Sequence, residues 1–222
     1  MKAMILAAGL GTRMRPLTDH TPKPLLPVAG KPLIVWHLEA LADRGITDVV
    51  INVSHRRETL IQALGQGEAW GLNIHWSVEE QPLETAGGVI QALPWLGTEP
   101  FLLINGDVWW RPDWSLLQMR AQDLAHLLLV DNPLHHAQGD FTMIEGRVHE
   151  DQSPRLTFSG ISMLSPDLFR GINPGVYPLA PLLRQAMQAG RVSGSYYPGP
   201  WVDVGTPQRL QALDQALHSG LF

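Results

Sequence analysis

Cysteine is absent from the 222 residues, so disulfides, thiolate metal sites and a cysteine nucleophile are all excluded. That agrees with a reducing compartment. Clustered positive charge is also missing. Lys and Arg total 16 against 21 Asp and Glu, the formal charge is -5, and no run of cations appears. Affinity for nucleic acid comes largely from clustered cations, so a polynucleotide partner is set aside and a small anionic ligand stays open. Long apolar runs are lacking too: nothing approaches the roughly 18 residues of a membrane helix. The apolar run after Met1-Lys2 is too short for a secretion signal and leads straight into a glycine loop. The expected address is the cytoplasm, with no membrane partner. Hydrophobic residues at 45% and charged residues at 17% describe a folded chain with a sizeable core.

Along the first half, strand-like and helix-like segments alternate. Ala3 to Ala7 reads as a buried strand that ends at Gly9. Leu33 to Ala42 has helical spacing and a stop at Gly45, whereas Asp48 to Val53 is β-branched. Glu58 to Leu64 and Thr85 to Leu93 read as helices, Leu72 to Ser77 and Phe101 to Ile104 as strands. Further on, 125–130 and 157–164 suggest strands, 181–189 and 207–217 helices, with loops and short antiparallel pieces across 132–154. Such alternation predicts an α/β fold: a Rossmann-like mixed, mainly parallel sheet flanked by helices. No repeat or linker interrupts it, so one domain over 1–222 is expected. In such sheets ligands bind in the loops after the strands, where the polar clusters 9–15 and 105–107 fall.

The segment Gly9-Leu10-Gly11-Thr12-Arg13-Met14-Arg15 offers glycines, which let backbone N–H groups approach phosphate oxygens, and arginines, which add a charged fork. It is not a P-loop, because no Lys-Ser/Thr pair follows the glycines. It is not a dinucleotide fingerprint either, because Met14 stands where a third small residue belongs and no acidic residue follows about 20 positions on. By itself the segment could still be an ordinary turn. Lys23, held between Pro22 and Pro24, supplies a stiffly presented cation of the kind a triphosphate site needs.

Leu6-Ala7-Ala8-Gly9-x-Gly11-Thr12-Arg13-x-Arg15-Pro16-Leu17-Thr18 followed by Pro22-Lys23-Pro24 resembles the signature of the sugar-1-phosphate nucleotidyltransferases. The blocks Thr85-Ala86-Gly87-Gly88, Asn105-Gly106-Asp107 and Trp201-Val202-Asp203-Val204-Gly205-Thr206 extend the likeness along the chain. Pro82-Leu83-Glu84-Thr85, Asp131-Asn132-Pro133 with His135-His136 and Gly139-Asp140-Phe141, and the stretch 157–162 point to the uridylyltransferase subgroup of bacterial cell-wall recycling. Glu84 departs from the Gly-Thr-Ala-Gly form common elsewhere in the family, and no C-terminal β-helix is expected.

The resemblance implies a reaction of UTP with a sugar 1-phosphate, N-acetylmuramate α-1-phosphate in that subgroup, by an enzyme that is a monomer or small homo-oligomer. It implies that Gly9, Gly11, Thr12, Arg13 and Lys23 bind the nucleotide, Arg13 and Lys23 being catalytic. Glu80 and Gly88 would lie near the base, and Asn105, Gly139 and Asp140 would meet the sugar phosphate. Alone, Asp107 and Asp203 read more readily as turn or capping residues; the resemblance implies that they are ligands of Mg²⁺. Rival readings are a guanylyl- or thymidylyltransferase and an inactive nucleotide-sensing subunit.

Other residues carry less. The nine histidines lack zinc-site spacing, and adjacent His135 and His136 would face opposite ways on a strand. Trp109 and Trp110 are expected to pack in the core or a lid, and Ser159 and Ser162 have no base partner that would make a nucleophile.

Overall fold

A computed structural model describes residues 1–222. In chain order its elements begin with β1 (Ala3–Leu6), β2 (Pro27–Val28), β3 (Lys31–Pro32), α1 (Leu33–Arg44), β4 (Asp48–Val53) and α2 (Arg57–Leu64). Then come β5 (Asn73–Val78), α3 (Glu84–Leu96), β6 (Phe101–Asn105), β7 (Val108–Trp110) and β8 (Ala125–Val130). The remainder is β9 (Thr142–Ile144), β10 (Arg147–His149), β11 (Thr157–Leu164), α4 (Leu179–Gln188), β12 (Val192–Tyr196), β13 (Trp201–Asp203) and α5 (Pro207–His218).

Nine strands form one sheet in the order β5-β4-β1-β6-β11-β8-β12-β10-β9. The block β5-β4-β1-β6 is parallel, β11 runs antiparallel to both β6 and β8, and β12 is parallel to β8. This is the mixed α/β sheet the alternation predicts. Period-two geometry divides the strand side chains between two layers. Ala3, Ile5, Val49, Ile51, Leu102 and Ile104 pack with Ile34, Leu38 and Leu41 of α1. Met4, Val50, Leu103, Leu127 and Leu129 pack with Val89 and Leu96 of α3 and Leu183 and Met187 of α4.

A third, smaller cluster sets the site. Met14, Leu26, Val28, Leu33, Trp109, Val204, Leu210 and Leu213 bury one another. Met14, which breaks the dinucleotide pattern, is thus an apolar peg. Its complete burial, worth about 1.5–3 kcal/mol, ties the glycine loop to β7 and α5. Trp109 and Trp110 are buried as expected, Trp109 stacking on Phe222 and Trp110 meeting Trp114 and Tyr197 edge-on.

Two features differ from the sequence reading, the strand β12 and the turn at His135–His136, whereas the glycines of α3 fall in the helix as read. Strand β12 is unanticipated because Val-Ser-Gly-Ser-Tyr lacks an apolar run; its pairing with β8, not propensity, makes it a strand. His135 and His136 lie on a 3₁₀ turn, Leu134–His136, so the alternation argued for a strand does not apply. Gly87 and Gly88 are buried inside α3 as packing residues. The Ala86 and Gly87 N–H groups donate to the Tyr177 carbonyl, so these two donors of the first turn are satisfied within the chain.

Candidate active site

At the C-terminal ends of β1, β4 and β6 lies a cavity of about 440 Å³. One wall is the loop after β1. Gly11 takes φ 63, the left-handed conformation that glycine adopts without strain, and opens a 3₁₀ turn over Thr12–Met14. Thr18 Oγ1 donates to the Gly11 carbonyl at 2.8 Å and holds the turn closed. Nothing approaches within 4 Å of the place a Cβ on Gly9 would occupy, so this stretch leaves room for a ligand. Thr12 and Arg13 are exposed on the cavity wall, and Arg13 has no partner within the chain. Arg15 instead turns away to pair with Asp19 at 3.5 Å.

The opposite side comes from the turn after β6. Gly106 N–H donates to the Leu6 carbonyl at 2.9 Å, and a Cβ there would collide with that oxygen. Only glycine allows the turn to approach β1 so closely, which places Asp107 beside the glycine loop. Asp107 Oδ2 accepts a hydrogen bond from Lys23 Nζ at 2.8 Å, the lysine being largely buried. Asn105 lines the same wall. The ladder of β11 shifts register between Phe158 and Ser162, and Gly160 stands in that bulge. Any Cβ at Gly160 would press on the Asn105 side chain.

Strands β7 and β13 form a separate antiparallel ribbon. Asp203 pairs with Val108, and Val204 N–H donates to the Asp107 carbonyl at 2.8 Å. The ribbon therefore brings the two aspartates, 96 positions apart, to one edge of the cavity. Asp203 itself is not in the lining, but Gly205 is, and a Cβ there would stand 2.9 Å from Asp203 Oδ1. In each aspartate Oδ2 has a protein partner, while Oδ1 makes no hydrogen bond in the chain. Two hard oxygen donors suit a divalent metal that keeps waters and bridges phosphates. No group of three or more His, Asp or Glu side chains offers an all-protein cage.

The floor shows what the sequence reading missed. Glu79, not Glu80, enters the wall. Glu79 Oε1 accepts from Asn52 Nδ2 at 2.7 Å and Oε2 from Leu83 N–H at 3.1 Å, while Asn52 Oδ1 accepts from Ala7 N–H at 2.8 Å. Burial pushes the Glu79 carboxyl above its ordinary range, against the lowering effect of those two donors. Gly88 stands directly behind this pair, since a Cβ on it would meet both side chains. Glu80 is exposed and pairs with Arg57 at 3.2 Å, outside the cavity. Asn52 was detectable as the single amide in an otherwise apolar β-branched strand. Gly139 and Asp140 are also outside the lining. Asp140 accepts from Phe158 N–H at 2.8 Å and His136 Nε2 at 3.0 Å, and Gly139, at φ 63, packs on Asn132. They tie the 132–141 loop to β11.

Behind Asp107, His37 of α1 is buried and its Nε2 has no partner. Burial pushes its pKa down to about 4, partly countered by a hydrogen bond to the Val108 backbone and the charge of Asp107. Between the unfolded value near 6.5 and about 4, the unfolded chain binds a proton that the native chain refuses. Stability therefore falls on acidification, by about 2 kcal/mol at pH 5 from this residue alone. Glu79 works in the opposite sense, because its raised folded pKa favours the native state as pH falls. Urea unfolding at pH 7 and pH 5 checks this: His37→Gln should lose most of the wild-type acid sensitivity. An unchanged sensitivity in the variant would refute the assignment.

A family model described as nucleotidyl transferase matches residues 2–145. Over 221 residues the chain is 51% identical to N-acetylmuramate alpha-1-phosphate uridylyltransferase of Neisseria meningitidis serogroup B, covering 95% of this chain and 96% of that one. It is 34% identical to the mannose-1-phosphate guanyltransferase of Schizosaccharomyces pombe, over 94% of this chain and 62% of the yeast protein. Among solved structures, a Bacillus anthracis protein provisionally assigned as a glucose-1-phosphate thymidylyltransferase superposes with a TM-score of 0.84 at 22% identity. That match covers 97% of this chain and 94% of the other and confirms the fold. The family match and the full-length relative show that this chain belongs to the nucleotidyl transferase family, as an enzyme of the sugar-phosphate nucleotidyltransferase type.

Proposed function

We propose that the enzyme transfers a uridylyl group from UTP to N-acetylmuramate α-1-phosphate. The products are UDP-N-acetylmuramate and pyrophosphate, and the setting is cytoplasmic peptidoglycan recycling. The observation that carries the substrate assignment is the 51% identity to a uridylyltransferase along essentially its whole length. The geometry that supports the reaction is the Lys23–Asp107 pair facing the glycine loop across one cavity.

The acceptor phosphate is ionised at neutral pH, so its oxygen attacks the α-phosphorus without a strong general base. A new P–O bond forms as the bond to the β-phosphate breaks, and pyrophosphate leaves with the electron pair. Catalysis is then positioning and neutralisation of charge. Gly9, Gly11 and Thr12 admit the triphosphate, and Arg13, free of protein partners, holds the β- and γ-phosphates. Lys23 offsets charge on the α-phosphate. The Asn52–Glu79 pair, with Gly88 behind it, forms the wall against the base, in place of the exposed Glu80. Asn105 faces the sugar side, and Gly139 and Asp140 act on it through the loop they fix. Asp107 and Asp203 would hold Mg²⁺, which supplies charge neutralisation across the reacting phosphates.

Incubation with Mg²⁺ and a matrix of nucleoside triphosphates and sugar 1-phosphates, read by pyrophosphate release, tests this reading. Turnover is expected with UTP and N-acetylmuramate 1-phosphate, at rates well above any other pair. Turnover only with GTP and mannose 1-phosphate would replace the assignment. Silence throughout would favour a nucleotide sensor.

A further inference from the structure

Asp203 ends β13, and its two carboxylate oxygens have different surroundings. Oδ2 accepts a hydrogen bond from His135 Nε2 at 3.1 Å and forms an ion pair with Arg209 Nη2 at 3.4 Å. Oδ1 has neither and lies beside Gly205, a residue that lines the cavity although Asp203 itself does not. The two partners come from separate parts of the fold. His135 arrives on the 3₁₀ turn between β8 and β9, whereas Arg209 sits in the first turn of α5. Thr206 Oγ1 caps that helix by accepting from Arg209 N–H at 3.3 Å. The guanidinium crosses Gly205 so closely that a Cβ there would overlap Nη2. Arg209 Nε is buried with no partner, an unfavourable desolvation that the fold carries while the fork reaches Asp203.

We propose that Arg209 and His135 are positioning residues: they hold Oδ2 of Asp203 and leave Oδ1 free for the divalent metal. This rests on Asp203 being a metal ligand, as stated under the proposed function. The positive charge of Arg209 opposes a cation, whereas an immobilised carboxylate loses less freedom when it binds one. Loss of groups that orient a ligating side chain typically weakens metal binding about 10–100-fold, so orientation is expected to outweigh repulsion here.

The test is titration of Mn²⁺ against protein with UTP and no sugar phosphate, the bound ion being read from water-proton relaxation. Wild type should bind Mn²⁺ and Asp203→Asn should not; if the two match, it is the metal reading that fails. With those controls in place, Arg209→Gln should weaken Mn²⁺ binding about 10-fold with its melting temperature unchanged, and Arg209→Lys should recover part of the loss. Wild-type or tighter binding by Arg209→Gln would overturn the proposal. Should that variant not fold, the exposed His135 decides. His135→Ala should weaken binding and His135→Gln, which keeps an N–H donor, should restore it; equal affinities in both would equally overturn it.

Discussion

Asp107→Asn is expected to lower pyrophosphate release by roughly 10³-fold while leaving the fold intact. The substitution keeps shape and removes charge. An amide oxygen can still accept the Lys23 ammonium, now 2.8 Å from Oδ2, so the turn after β6 should keep its place. Asp107 is more than one third exposed, and partly solvated pairs contribute at most about 1 kcal/mol. The melting temperature should therefore barely move. Turnover in the proposed mechanism, in contrast, depends on a full negative charge where the phosphates and their metal would meet, and a neutral amide is a poor ligand for a hard dication. Steady-state pyrophosphate release and thermal unfolding, run side by side, separate the two effects. Near-normal release from the variant would remove Asp107 from the metal site.

Removing the facing cation should be nearly as damaging. Lys23→Ala is expected to reduce kcat about 10²–10³-fold, with a smaller effect on the KM for UTP. The reason is position: the lysine side chain is 12% exposed and aimed into the cavity by the turn Lys23–Leu25. In the proposed mechanism charge on the α-phosphate grows as the reaction proceeds, so a fixed cation beside it would favour the transition state over the bound ground state. Lys23→Arg keeps the charge but carries a planar fork that does not fit a point contact, so partial recovery is expected. A Lys23→Ala variant with unchanged kcat and raised KM would instead assign the lysine to binding alone.

Much of this site was legible because its signals are local. The apolar run ending at Gly9, the prolines around Lys23 and the Asn-Gly-Asp turn after Phe101 to Ile104 are each set by neighbours within a few residues. Helices α1, α2 and α5 came out within two residues of the observed ends, because helical spacing and stop signals repeat over several turns. Two placements were off for definite reasons. Glu80, expected near the ligand, lies outside the cavity that Glu79 lines, because at a strand end a step of one residue reverses the face. Strand β12 was missed because small polar residues hold it in place by pairing with β8.

The sequence alone determined the family, the α/β alternation and the residues of the glycine loop, since each is written in contiguous chemistry. Only the tertiary structure decided the rest. It joined β7 to β13 and so brought Asp107 and Asp203 together. It showed Met14 to be a buried peg rather than a defect in a glycine motif. It also placed His135 and Arg209 on one oxygen of Asp203. Those contacts link residues far apart in the chain, where burial and strand pairing set the geometry and no local pattern records it.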